Sequence, residues 1–384
     1  MNRITIDEEA LRHNLDRVRY LVGRHGAHLT VVTKSLCGNP EVLRILRESS
    51  VDSIADSRLQ NLEAMGELGG GLQRWYLRPP HHSALADVVR LSDVSLNSEL
   101  STIRLLSEEA ERQGVTHQVI IMIELGDLRE GILPGSLVEV YEDVFALPNV
   151  EVLGIGSNLG CLSGTVPNID QFMQLALYRE LLELKFGREL PLISAGTSAV
   201  LPLLVDGVLP RPINHFRVGE SIFLGTDLVH GGQLEGFRDD AVLLEAEIVE
   251  MKEKALVALG ETADVAPFGT IEHNEPQPGQ RGYRAILTLG QLDTDVGALE
   301  PVEPDHQIAG ASSDLTVVNL GPKSGGLRVG DCIRFRMGYS AFVRLMSNPY
   351  TRQQVRRATG LAPLEAREGP APLLSLAGHP IGQA

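Results

Sequence analysis

Over roughly its first 240 residues the chain alternates between short apolar runs and amphipathic stretches. The runs are Leu29–Thr33, Val51–Ala55, Arg74–Leu77, Asp93–Ser95, Gln118–Glu124, Val152–Gly156, Leu192–Ser194 and Asn214–Arg217, eight in all. Short runs rich in Val and Ile predict strands buried on both faces. The segments between them, Pro40–Glu48, Ser57–Leu68, Ser83–Leu91, Ser98–Gln113, Ser136–Ala146, Ile169–Lys185 and Ser198–Val205, carry the spacing of helices. Ser98 and Asn168 each place a side-chain acceptor just before such a segment, as a helix start requires. Strands that alternate with helices form parallel sheets, and eight units in about 220 residues predict a closed (β/α)8, TIM-like barrel.

The texture changes near residue 240. Ala241–Glu250, Arg284–Leu289, Asp314–Leu320 and Asp331–Met337 are strand-like with no helical stretch between them, punctuated by Gly321-Pro, Gly325-Gly and Val329-Gly-Asp turns. The fold class expected is therefore α/β, an N-terminal barrel over residues 1–238 followed by an all-β domain over 239–350. Residues 351–384, rich toward their end in Pro, Ala and Gly, read as a helical or flexible tail.

The formal charge is −16, which disfavours a nucleic-acid partner or an anionic membrane surface. No apolar run approaches the roughly 20 residues of a membrane helix, and no basic-then-apolar start is present, so the expected location is the cytoplasm. Cys37, Cys161 and Cys332 form no CxxC pair, and neither a disulfide framework nor a metal site is expected; His81-His82 reads as a solvated loop pair.

In a barrel of this kind the chemistry sits where the strands end. The residues at or just after the eight runs include Lys34, Asp56, Arg58, Arg78, Asn97, Glu124, Arg129, Ser157, Asn158, Ser194, Thr197, Ser198 and Arg217. Such groups are costly to bury unpartnered, so their convergence on one face is informative. Lys34 has two readings: a surface lysine just past a strand, or an amine at the barrel mouth whose desolvation and cationic neighbours suit it to Schiff-base chemistry. Gly154-Ile-Gly156-Ser-Asn-Leu-Gly160 misses the dinucleotide-loop spacing by one and reads as a tight strand-to-helix loop. Ser194-Ala-Gly-Thr-Ser198 ahead of an apolar helix reads as an anion seat.

Taken in order, Val31-Val-Thr-Lys34, Glu124-Leu-Gly-Asp-Leu-Arg-Glu-Gly131, Asn158-Leu-Gly-Cys161, Ser194-Ala-Gly-Thr-Ser198, Ile213-Asn-His-Phe-Arg-Val-Gly-Glu220 and Gly310-Ala-Ser-Ser-Asp314 resemble the alanine racemase-like, fold-type III pyridoxal 5′-phosphate (PLP) enzymes. More closely they resemble the alanine/ornithine racemase subgroup. The resemblance spans about residues 2–350. It implies that Lys34 carries the cofactor and serves as one acid/base, and that Arg217 faces the pyridine nitrogen. It implies that Asn158, Ser198, Gly219, Glu220, Ser221 and Tyr339 bind the cofactor, chiefly its phosphate. Arg129 and Asp314 then lie on the substrate side, Arg129 by the carboxylate. It also implies a homodimer acting on a small-molecule amino acid.

One departure stands out. The family's catalytic tyrosine matches Val257-Ala-Leu-Gly260, so Leu259 occupies its place and cannot transfer a proton. Asp264, His273, Tyr283, Asp293, Asp295 and Asp314 are the acid/base candidates nearby in sequence. The reading reached is a PLP-dependent racemase that deprotonates and reprotonates Cα, with ornithine or another basic amino acid as substrate. A decarboxylase or aldolase on the same fold, and a non-enzymatic PLP carrier, are the alternatives.

Overall fold

The computed structural model describes residues 2–67, 71–257 and 279–357. In chain order the elements are β1 (Arg3–Asp7), α1 (Glu8–His25), β2 (His28–Val32), α2 (Pro40–Glu48), β3 (Ser53–Asp56), α3 (Leu59–Glu67), β4 (Gln73–Tyr76), α4 (Leu85–Leu91) and β5 (Val94–Asn97). Then come α5 (Leu100–Gln113), β6 (His117–Met122), α6 (Leu137–Phe145), β7 (Val150–Gly156), α7 (Ile169–Phe186), β8 (Leu192–Thr197), α8 (Leu201–Val205), β9 (His215–Val218) and α9 (Glu220–Leu224). The remainder is β10 (Val242–Ala255), β11 (Arg281–Leu287), β12 (Leu299–Pro301), β13 (Gln307–Ala311), β14 (Thr316–Gly321), β15 (Cys332–Met337), α10 (Tyr339–Ser347) and β16 (Arg352–Arg356). The described residues divide into two compact units, one within 12–237 and the other made of those within 1–11 and 238–357.

In the first unit β2 to β9 close into a parallel barrel, sealed where β9 returns to β2 with Leu29 opposite Phe216 and Thr30 opposite Arg217. The eight apolar runs are these eight strands. Side chains alternate across a strand, so every second residue fills the lumen. Val32, Ala55, Trp75, Val94, Leu96, Ile120, Met122 and Leu192 form one buried cluster, and the Trp75 ring stacks on His215 with centroids 4.4 Å apart. Two glycines permit tight strand packing: a Cβ on Gly154 would lie 1.9 Å from the Leu192 carbonyl oxygen, and one on Gly196 would lie 2.2 Å from the Phe216 ring.

Asn168 caps α7 as expected, accepting from the Gln171 amide while the Gln171 side chain accepts in return from the Asn168 amide. Ser98 does not play this part. The cap residue of α5 is Glu99, and no side chain bonds the helix amides there.

In the second unit the strands run β12-β15-β10-β11-β14-β13, and β1 joins the same sheet between β10 and β16. The 1–238 boundary therefore needs correcting at its start. β1 pairs with β10, Arg3 opposite Glu245, an antiparallel contact across more than two hundred residues. The upper boundary also moves, because β16 pairs in parallel with β1 and extends the sheet past residue 350. The unit is not wholly β, since α10 packs Ala341, Phe342, Leu345 and Met346 inward. The expected tail at 364–384, like Leu259, Asp264 and His273, lies outside the described residues.

Candidate active site

Of the residues expected to do chemistry, those of the barrel unit gather at the C-terminal ends of its strands. Lys34 opens a single 3-10 turn just past β2 and is exposed, so the desolvation expected of it is not supplied there; it stands beyond the last ladder pair of its strand. Its charge reaches Glu220, whose carboxyl is raised by burial and lowered in turn by a Thr226 hydroxyl and by Lys34. Thr33, the neighbouring residue, donates to the fully buried Asp56 carboxylate at 3.1 Å, and Asp56 also accepts from Asn61 and from the Arg58 amide. These bonds hold the turn that carries Lys34.

Arg217 is buried and held by three hydrogen bonds. Its guanidinium donates to the Ser194 carbonyl at 2.7 Å, to the Ser194 hydroxyl, and to the Ser157 carbonyl at 3.0 Å. Burial pushes it down to about 10, while the Glu130 carboxylate draws it up and Arg129 opposes that. These charges act on one another, so Arg129, Glu130 and Arg217 belong to one electrostatic neighbourhood.

His215 lies two residues before Arg217 on the same face of β9, as the strand period dictates. Its Nδ1 meets the Ser194 hydroxyl at 2.7 Å and its Nε2 meets the Thr30 hydroxyl at 2.8 Å; Thr30 in turn meets Ser53 at 2.7 Å. Burial, then the Arg217 and His28 charges, hold His215 well below its ordinary range, so the ring is neutral. A consistent assignment of protons has Arg217 donating to Ser194, Ser194 to His215 Nδ1, His215 Nε2–H to Thr30, Thr30 to Ser53, and Ser53 to the Leu29 carbonyl at 3.1 Å. Ser194 appears among the strand-end residues read from sequence. The link to His215 does not, although its inward position two residues from Arg217 was a usable signal.

Arg129 sits in a loop built by carboxylates. Glu124 accepts from the amides of Gly126, Leu128 and Arg129. Asp127, almost fully buried, accepts from the amides of Cys161, Leu162 and Ser163, stitching the loop after β6 to the loop after β7. Burial works against the Arg129 charge, but the Glu130 carboxylate outweighs it and holds the guanidinium above its ordinary range. Sequence reading assigned Asp127 no role; a carboxylate inside a Gly-rich loop is silent until its amide partners are known.

Ser198 opens the turn after β8, and its hydroxyl accepts weakly from the Ser221 amide at 3.4 Å. Gly219 precedes Glu220 and Ser221 at the start of α9, where a Cβ would stand 2.7 Å from the Val32 carbonyl oxygen. The Glu220 side chain accepts from Thr226. Three buried polar atoms at strand ends have no partner among the described residues: Asn97 Oδ1 at the end of β5, Asn158 Nδ2 after β7 and Thr197 Oγ1 at the end of β8. Orphaned buried polar atoms are rare, and three at the same end of one barrel fit a polar ligand. Together with the close-packed glycine at 219 and a lysine at the rim, they suit a phosphorylated aldehyde cofactor.

Tyr339 and Asp314 belong to the second unit, at the start of α10 and in the turn between β13 and β14. Of the acid/base candidates described there, Asp293 accepts from the Gly290 amide and Asp295 from the Ser340 hydroxyl, which are structural duties. Tyr283 is half-buried on β11, and Asp314 is exposed. Among the described residues no group of three or more His, Cys, Asp or Glu is placed to hold a metal, and no helix is long and apolar enough to cross a membrane.

A model described as "Alanine racemase, N-terminal domain" matches residues 6–227. An ornithine racemase of Acetoanaerobium sticklandii is 37% identical over 356 residues, 92% of this chain and 99% of the relative. A lysine racemase of Thermotoga maritima is 31% identical over 351 residues, 91% and 96% of the two chains. The solved alanine racemase of Corynebacterium glutamicum superposes with a TM-score of 0.70 at 18% identity, over 92% of this chain and 99% of that one, and so shares the fold. A family model covering most of the barrel, together with two relatives matched nearly end to end, establishes that this chain belongs to the alanine racemase family.

Proposed function

We propose that the strand-end face is the active site of a PLP-dependent racemase of a basic amino acid, ornithine foremost. The observation that carries the reading is the buried Arg217, fixed by Ser194 and Ser157 on the same barrel end as Lys34. The names of the two full-length relatives supply the substrate class.

PLP, when bound, supplies an electron sink that makes a Cα–H bond acidic. Lys34 would hold it through its amine, and Ser198, Gly219, Glu220 and Ser221 would seat its phosphate, with Asn158 at the edge. Glu220 contributes backbone rather than carboxylate to an anion, since its side chain is turned to Thr226. Arg217 has donors and no acceptor, so it would hold a cofactor ring nitrogen unprotonated and favour simple proton return. Arg129 draws the substrate carboxylate, turning the Cα–H bond rather than the Cα–carboxylate bond toward Lys34. Lys34 takes or gives the proton on one face.

The opposite face needs a second acid/base. We assign it to the β unit of a partner in a homodimer, an arrangement in which one subunit's β unit covers the other's barrel mouth. With Asp293 and Asp295 committed to turns, Tyr283 and Asp314 are the described groups able to serve.

The test is incubation of L- and D-ornithine separately in deuterated water with the PLP-loaded protein. Racemisation predicts deuterium at Cα and the mirror enantiomer from either side. Carbon dioxide release, an aldehyde product, or no exchange across a panel of amino acids would overturn the reading.

A further inference from the structure

Helix α7 has two apolar faces. Phe172, Leu175, Ala176 and Leu182 are buried. On the other side Ile169, Met173, Leu177, Leu181 and Leu184 are exposed, Leu177 by 60% and Leu184 by 86%. Steps of four, four, four and three residues keep these five on one side of the helix. At 1.5 Å per residue they make a stripe roughly 22 Å long. Just ahead of it, Leu162 and Val166 are exposed as well. Scattered exposed hydrophobics need no explanation, but a continuous row of this length marks a binding face.

We propose that this stripe is an interface with a second copy of the chain, formed by two α7 helices packed antiparallel about a two-fold axis at Leu177. Three features of the helix favour its own copy as the occupant. First, the row is nearly symmetric about Leu177, so that Met173 meets the partner's Leu181 and Ile169 meets the end of the partner's row; an isologous contact requires such self-complementarity. Second, the charges at its ends are opposite. Asp170 is exposed in the first turn, while Lys185 and Arg188 are exposed at and just beyond the last. Antiparallel packing sets acid against base at both ends and opposes the two helix dipoles favourably, whereas parallel packing would set like against like. Third, the exposed Glu180 would face the partner's Gln174, a neutral amide donor, rather than another carboxylate.

The geometry also leaves the active site free. In a parallel barrel each helix starts on the side where the strands end. Two antiparallel α7 helices therefore point the two barrel mouths in opposite directions and obstruct neither. The contact is distinct from the homodimer assigned above and closes with it to a tetramer where the two two-fold axes meet at right angles.

The experiment uses the full-length protein. Sedimentation of a Leu177→Glu/Leu181→Glu variant is expected to show half the mass of the wild type at the same concentration. Both side chains are exposed, so the fold should survive, and an unchanged circular dichroism spectrum checks this. In a second variant, Leu177→Cys, the new thiol would face its own counterpart on the axis. Mild copper-catalysed oxidation by oxygen should link two chains through it. The wild type, with Cys161 exposed, and a Leu128→Cys variant serve as controls that should link far less. An unchanged mass in the glutamate variant, or no more linkage at position 177 than in the controls, would overturn the proposal. The same two results would follow if another segment of this chain or a different protein covered the stripe.

Discussion

Two buried histidines should make the protein less stable as the pH falls below their ordinary value of 6.5. His117 opens β6, almost fully buried, with its Nε2 2.8 Å from the Ser95 hydroxyl. Burial holds it down to about 4, against an ordinary value of 6.5. His215, fully buried, is held still more firmly neutral, by burial first and then by the Arg217 and His28 charges. A base with a lowered folded pKa takes up protons in the unfolded chain before it does so in the folded one. Stability is thus complete above the unfolded value and falls as pH drops below 6.5 toward the folded value. For His117 at pH 5.5 the unfolded ring is mostly protonated and the folded ring mostly neutral, a difference of roughly 1 kcal/mol that is nearly absent at pH 7.5. His215 acts in the same direction.

The assay is urea unfolding followed by circular dichroism at pH 7.5 and 5.5, for the wild type and for His117→Gln. Glutamine does not titrate and can bond Ser95, so the variant should lose roughly 1 kcal/mol less than the wild type between the two pH values. The buried carboxyls of Asp56 and Glu220, both raised, act with the opposite sign, but they are present in both proteins and cancel in the comparison. Parallel losses in the two proteins would refute the reasoning, because they would mean that His117 is protonated without unfolding.

Lys34→Ala should abolish Cα deuterium exchange and racemisation together; borohydride labelling of another lysine in the wild type would refute the assignment. Arg217→Gln should strand acceptors at Ser194 and Ser157, costing about 1–3 kcal/mol in thermal or urea unfolding, and should also shift the visible absorbance of the bound cofactor. Gly219→Ala places a methyl 2.7 Å from the Val32 carbonyl oxygen and should weaken PLP retention at least tenfold on dialysis, with secondary structure intact. Asp127→Ala should release the loop that carries Arg129, raising KM for the amino acid more than it lowers kcat. Trp75→Ala, at a fully buried site in the barrel lumen, should cost about 3–5 kcal/mol.

Legibility in the sequence followed the range of the interactions. Barrel strands are short and buried on both faces, so each announces itself as a local apolar run, and all eight were visible without knowledge of their neighbours. The capping box at Asn168 and Gln171 is likewise three residues wide, and it formed as read. Ser98 carried the same local signal, yet α5 starts one residue later, with no side-chain cap. β1 was harder to place, because Ile4 and Ile6 look like any strand and only pairing with Leu244 and Val242 sends them to the other unit. The same division holds in the site. Lys34, Arg217 and Ser198 are visible as polar residues at strand ends. The wiring that makes Arg217 a fixed donor runs through Ser194, His215, Thr30 and Ser53, from four different strands. Barrel closure alone places β9 beside β2 and so brings His215 to Thr30 across 185 residues. A histidine in a strand predicts little by itself. Once the alternation puts it on the same inward face as a buried arginine, its neutrality and its bonds follow, since a second cation there would have no counter-charge. The polar lining of the site is thus a consequence of the barrel's register, and a register is a property of paired strands rather than of any one segment.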